Sequence, residues 1–221
     1  MRGIRRGIAF TALTAALTIA HGDAHAGGAP GSLSGKVTLP AGTSAKACVV
    51  YLEGEGLPST PTKGVTCAQS GKKFVPEVAV VTAGSTVEFP NRDKVFHNVF
   101  SLGPGVDFDL GQYRAGESKT YTFTSAGAVD IACNIHPDMF ATILVVPNNC
   151  FTTPKDDGSY TIENIPPGNY TAVGWVQLGN VVRNPVEIKA GAKTTADLAL
   201  AGKLRPRQHA RKDGSDYGRY K

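Results

Sequence analysis

The sequence predicts an all-β protein built from β-sandwich units, and three observations carry that reading. Short runs rich in Val, Thr, Ile, Tyr and Phe recur along the body: "KVTLP", "ACVVYLEG", "EVAVVTAGSTVEFP", "FHNVFSL", "KTYTFTSAG", "VDIAC", "ATILVVP" and "NYTAVGWVQL". Gly, Pro, Asn and Asp punctuate these runs at the spacing of a sandwich. No stretch holds a helical period over several turns.

In chain order, residues 1–26 come first and are expected to be removed. Arg2, Arg5 and Arg6 precede an apolar run from Ile8 to Ala20 and an Ala24-His25-Ala26 cleavage site. This is the pattern of a secretory signal peptide, with an apolar run too short to span a bilayer. No later segment reaches the roughly 18 apolar residues of a membrane helix, so no transmembrane segment is expected. The expected compartment is a bacterial periplasm, where a disulfide can form. His97, His136 and His209 are then the remaining histidines, and Met139 the remaining methionine.

Charge is divided unevenly. Residues 27–201 hold 13 Lys and Arg against 15 Asp and Glu, a net of −2, whereas residues 202–221 hold 7 against 2, a net of +5. The basic balance therefore does not describe the folded body, and no nucleic-acid partner is implied. The segment 202–221, polar and without apolar periodicity, is expected to be a disordered, solvated tail, with His209 as a surface residue.

The chemistry concentrates in "CNIHPDM", residues 133–139, which places Cys133, His136 and Met139 at i, i+3 and i+6. A loop between "VDIAC" and "ATILVV" can aim three side chains at one centre, as a strand with its alternating faces cannot. The other histidine of the body is His97, in "DKVFHNVFS", and the 36 residues from it to Cys133 allow strands to run away and return. Two imidazoles, one thiolate and one thioether form a donor set suited to copper cycling between Cu(I) and Cu(II). Zinc sites favour four Cys or His ligands. A c-type haem needs C-x-x-C-H, which this chain lacks.

Over residues 64–147 the chain resembles the cupredoxins, the small blue copper proteins. "FHNVF" is similar to their first-histidine strand, and "KTYTFTSAGAVDIACNIHPDMFATILVV" to their Cys–His–Met hairpin. The C-x-x-H-x-x-M spacing with Pro137 after the histidine resembles the amicyanin branch; plastocyanins have a longer gap. The resemblance implies a Greek-key β-sandwich holding one type 1 copper. His97, Cys133 and His136 would be equatorial ligands, Met139 the axial one. Asn98 would bond near the cysteine sulfur and tie the ligand loops together. Two positions depart from the pattern: Ile135 replaces a proline, and Ala132 replaces an aromatic residue before the cysteine.

"DDGSYTIENIPPGNYTAVGWVQ", residues 156–177, resembles the carboxypeptidase regulatory-like (transthyretin-like) β-sandwich, with Gly158 and Pro166-Pro167-Gly168 as turn devices. The first strands of that family match "GKVTLPAGTSAKACVVYLEG", residues 35–54, which stands before the copper segment. The expected arrangement is therefore one sandwich from residues 32–57 and 150–201, with a cupredoxin domain, residues 64–147, inserted between them. Two sequential domains are the alternative. Insertion predicts that residues near 64–67 and 147–150 lie side by side. Cys67 and Cys150 would flank the insertion, and a disulfide between them is expected, with Cys48 a buried free thiol; pairing of Cys48 with either is the alternative.

The functional expectation is a periplasmic electron carrier and not an enzyme. Four protein ligands leave no open position for substrate, and the body has no second histidine cluster. His136, flanked by Ile135, Pro137 and Phe140, would be the electron port in a weak docking surface. The amicyanin likeness implies redox protein partners, a dehydrogenase donor and a c-type cytochrome acceptor, as in chains labelled methylamine utilisation proteins. The alternative is copper storage or delivery. A carbohydrate-binding or adhesive module lacks support, since Trp175, the single Trp, reads as core.

Overall fold

The computed structural model describes residues 28–102, 105–200 and 209–217. The expected signal peptide and residues 202–208 and 218–221 of the basic tail lie outside the described residues. The chain is all-β: among the described residues the only helical element is a single 3₁₀ turn at Ala45–Ala47. No helix is long and apolar enough to cross a membrane among them.

Four main sheets stack through three apolar cores. A five-stranded sheet runs in the order Val78–Thr82, Phe140–Val146, Gly127–Ala132, His97–Leu102, Asp109–Tyr113; its first pair is parallel and the others antiparallel. Ser118–Phe123, Ser85–Pro90 and Val65–Thr66 form a three-stranded sheet. Phe89, Phe123, Val99, Ile131 and Ile143 fill the core between these two. A second pair of sheets is built from residues on both sides of that region. Phe151–Thr152, Cys48–Glu53, Gly168–Val176 and Val181–Ile188 form one; Ser159–Ile165, Gly31–Thr38 and Lys193–Thr195 form the other, with Leu198–Ala199 alongside. Leu33, Leu52, Ile162 and Ile188 lie in the core they enclose.

The third core lies between the five-stranded sheet and the Cys48–Glu53 sheet, and simple alternation produces it. In Phe140–Val146, Ala141, Ile143 and Val145 face the first core, while Leu144 and Val146 face outward. In Cys48–Glu53, Cys48, Val50 and Leu52 face the second core, while Val49 and Tyr51 face outward. The outward residues of the two strands meet each other, together with Val173 and Trp175. Strands buried on both faces lose the polar half of their pattern, which is why "ATILVV" and "CVVYL" are continuously apolar. A buried polar contact anchors the seam: Gln177 Nε2 donates to the Glu77 carbonyl at 3.0 Å and to Thr142 Oγ1 at 3.1 Å.

Gly35, in the "GKV" strand, has a steric reason to be glycine. A Cβ there would stand 1.9 Å from the Ala196 carbonyl oxygen, on the chain packed beside it. The two crossings between the sheet pairs lie together. Asn149 N–H donates to the Pro58 carbonyl at 2.8 Å, and the Thr60 N–H to Asn149 Oδ1 at 2.7 Å. Ser59 Oγ donates to the Pro147 carbonyl at 3.0 Å. Residues 58–60 thus neighbour 147–149, and Val65–Thr66 pairs with Ser85–Pro90 in the three-stranded sheet.

The expected Cys67–Cys150 disulfide does not form; all four cysteines are free thiols. Cys67 belongs to the core of the five-stranded sheet, and its thiol donates to the Pro76 carbonyl at 3.5 Å. Cys150 and Cys48 belong to the other core. The basic segment also departs from expectation. Residues 209–217 lie against the body around Cys133, and His209 is partly buried rather than a free surface residue.

Candidate metal centre

Strand ends gather the candidate ligands at one rim of the five-stranded sheet. His97 heads its strand, Cys133 directly follows Gly127–Ala132, and Met139 directly precedes Phe140–Val146. Ala132 stands opposite both Phe140 and Phe100, so these strands end level with one another. The 133–139 loop closes through Cys133 N–H to the Met139 carbonyl at 3.2 Å and Met139 N–H to the His136 carbonyl at 3.1 Å.

The structure brings three of the expected ligands together. His97 Nδ1 and His136 Nδ1 each lie 3.8 Å from Cys133 Sγ, and the three donor atoms fall within 4.8 Å of one another. The two rings are 4.8 Å apart and inclined at 59°. A separation of 3.8 Å is long for a hydrogen bond. Each sulfur–nitrogen separation is close to what a shared ion would leave: bonds of about 2.3 Å to sulfur and about 2.0 Å to nitrogen at a trigonal angle put about 3.7 Å between S and N. The donor set, one thiolate and two imidazoles, is the one soft and borderline metals take. Met139 is fully buried in the same core as Cys133, and its backbone forms both bonds that close the loop.

Surroundings adjust two of the three donors, Cys133 and His136, toward their ligating forms. Burial pushes the Cys133 thiol up, but the His97 ring and the N–H groups of Asn98, Ile135 and His136 outweigh it, leaving the pKa below the ordinary thiol value. Burial pulls His136 below the usual histidine value, and the nearby His97 and Lys72 charges add to this. His136 is thus neutral, with a lone pair to donate, at neutral pH. His97 moves the other way. Burial lowers it, but its contacts with Cys133 and Asp93 outweigh burial and hold it above the ordinary value.

Asn98 bridges the His97 strand and the Cys133 loop. Its side-chain oxygen accepts from Asn134 N–H at 2.6 Å, joining the two ligand-bearing segments, and its Nδ2 donates to Asp109 Oδ1 at 3.4 Å. Sequence reasoning missed Asp93. Its Oδ2 lies 2.8 Å from His97 Nε2, the ring nitrogen turned away from the cysteine. Gly71 and Lys72 donate their N–H groups to the same carboxylate at 2.7 and 2.8 Å. The carboxylate therefore fixes the ring so that Nδ1 faces the thiol. A carboxylate four residues before a candidate ligand was the available signal. The contacts of residues 209–217 were missed as well.

Comparison with known proteins gives matches among solved structures only. No family model matches the chain, and no curated protein matches it. The purple cupredoxin from Nitrosopumilus maritimus is 19% identical, covers 38% of this chain and 100% of its own, and superposes with a TM-score of 0.35. A Cu(I) amicyanin variant is 20% identical over 44% of this chain and 98% of its own, at a TM-score of 0.37. A reduced amicyanin variant is 22% identical over the same shares, at 0.36. The structural neighbours are thus cupredoxins, distant and matched over part of the chain. The reading of the site rests on its own donor geometry.

Proposed function

We propose that this chain is a periplasmic electron-transfer protein carrying one type 1 copper. His97 Nδ1, Cys133 Sγ and His136 Nδ1 would hold the copper, with Met139 as the fourth ligand. Copper bound there supplies a one-electron couple. The chain's residues hold the donors at fixed separation, keep His97 and Cys133 from solvent, and leave His136 partly exposed. The observation that carries the reading is the convergence of the three donor atoms from segments 36 residues apart in sequence. Val95 and Phe96, directly before His97, are exposed apolar residues of the kind a transient redox partner covers. A c-type cytochrome or a dehydrogenase is such a partner.

The domain division we favour follows the strand pairing. The copper domain is an insertion within a second, transthyretin-like sandwich, since Gly31–Thr38 and Cys48–Glu53 pair with strands beyond residue 150. The test is to load the mature chain with Cu(II) and record visible and EPR spectra. An intense thiolate-to-copper charge-transfer band, lost in Cys133→Ser, is the expected result. Binding of Cu(I) alone, with no such band for Cu(II), would favour copper delivery over electron transfer.

A further inference from the structure

We infer that residues 209–217 act as an intramolecular clasp that positions the Cys133 loop, with Tyr217 as its positioning residue; this rests on the copper reading above. The segment is shaped for the task. Gly214 N–H donates to the Arg211 carbonyl and Arg211 N–H to the Ser215 carbonyl, both at 2.9 Å, while Asp213 Oδ1 accepts from Ser215 N–H at 2.9 Å. The "DGS" turn thus brings Arg211 back toward Tyr217, whose ring lies 5.3 Å from the Arg211 guanidinium carbon. His209 stands edge-on to the Tyr217 ring at 5.3 Å and to the Phe100 ring at 6.3 Å.

From this turn the segment grips two consecutive residues of the metal loop. Tyr217 O–H donates to the Cys133 carbonyl at 2.6 Å, and Lys212 N–H donates to Asn134 Oδ1 at 2.9 Å. Lys212 Nζ lies 3.4 Å from Asp109 Oδ2. These contacts complete a closed polar circuit around the cysteine. Asn134 N–H bonds Asn98, Asn98 Nδ2 bonds Asp109, Asp109 meets Lys212, and Lys212 N–H returns to Asn134. Without the segment, the circuit opens at both Asn134 and Asp109, and the Cys133 carbonyl loses the Tyr217 donor.

The clasp has an electrostatic consequence. The hydroxyl proton of Tyr217 and the Lys212 ammonium place positive charge beside the site, which favours the redox state of lower positive charge, the Cu(I) form. The clasp therefore raises the reduction potential as well as fixing the loop. The salt-exposed Lys212 contributes less as ionic strength increases.

Tyr217→Phe removes the hydroxyl and leaves the ring. In the metal-free full-length chain, the Asn134 amide is expected to exchange with solvent up to about tenfold faster, the equivalent of one lost hydrogen bond. Trypsin cleavage after Arg211 and Lys212, slow in the parent chain, should accelerate with it. In the copper-loaded chain, Tyr217→Phe and Lys212→Ala should both lower the reduction potential, the second less so at high salt, while Lys212→Arg keeps the parent value. Unchanged exchange at Asn134, or ready trypsin cleavage after Arg211 in the parent chain, would overturn the clasp. A parent chain without a charge-transfer band would overturn the copper reading instead, and the metal-free measurements would still decide the clasp.

Discussion

Asp93→Asn isolates what a carboxylate does behind a metal-binding imidazole. Asp93 accepts from His97 Nε2 at 2.8 Å, and its side chain is only 16% exposed, so solvent screens the contact little. Burial pushes the Asp93 carboxyl up, but the N–H groups of Lys72 and Gly71 and the His97 ring outweigh it, so the group is ionised through the neutral range. A hydrogen bond to a charged group is worth about 1.5–3 kcal/mol net, against about 0.5–1.5 for a neutral one. Replacing the carboxylate by an amide of the same shape thus forfeits about 1–1.5 kcal/mol. His97 bears more positive charge beneath Cu(II) than beneath Cu(I), so the loss falls mainly on the oxidised state. Cu(II) affinity should drop about tenfold, and the reduction potential should rise by up to about 60 mV, the one-electron equivalent of that factor. Chelator competition and voltammetry measure the two quantities independently. Unchanged values in both would refute the reasoning, because His97 would then be oriented without the carboxylate.

Three further predictions address the axial ligand, the seam and the buried thiols. Met139→Leu should retain copper and raise the potential, since a weak donor is lost while the three strong ones remain; a colourless variant would contradict the axial assignment. Leu144→Ala opens a cavity in the seam core and should destabilise by about 2–5 kcal/mol, with a red shift in the emission of Trp175, which packs in the same cluster. Urea unfolding followed by fluorescence reads both. Burial pushes the Cys48 and Cys67 thiols up to about 12, from 9.0 for an exposed thiol. The folded state then holds protons that the unfolded state releases, so the stability present below pH 9.0 is lost as pH climbs toward about 12. The urea midpoint should fall over that range, and less steeply in Cys48→Ala.

Much of the fold was legible because half-buried strands alternate and turns carry Gly, Pro and Asp; "KTYTF" and "GSYTIENI" show this directly. The trio His97, Cys133 and His136 was legible as a candidate site because histidine is scarce and the Cys–His spacing is short. What escaped depends on partners remote in sequence. That Phe140–Val146 and Cys48–Glu53 bury both faces follows from their packing on each other, and a continuous apolar run does not name its neighbour. Cys67 and Cys150 were close in the expected topology, but their side chains enter different cores. Asp93 is near His97 in sequence, yet its carboxylate is held by Gly71 and Lys72, which no spacing rule connects to it. Residues 209–217 read as solvated because charges dominate them. The acceptors that order them, the Cys133 carbonyl and the Asn134 side chain, belong to another loop.

The stacking of sheets also determines how the site can be reached. One face of the five-stranded sheet is covered by the three-stranded sheet; the other is covered by the Cys48–Glu53 sheet at Val78–Thr82 and Phe140–Val146, while Phe100, in the His97–Leu102 strand, meets the His209 ring. At the rim, residues 209–217 contact Cys133 and Asn134. His136 is the one member of the trio with exposure. On the proposed function, a partner exchanging electrons with this centre would approach through His136. A bulky substitution beside it, such as Pro137→Trp, should slow exchange with a redox partner while leaving the charge-transfer band unchanged. Exchange at the parent rate would place the contact elsewhere on the rim, with the Tyr217 side the remaining route to the cysteine.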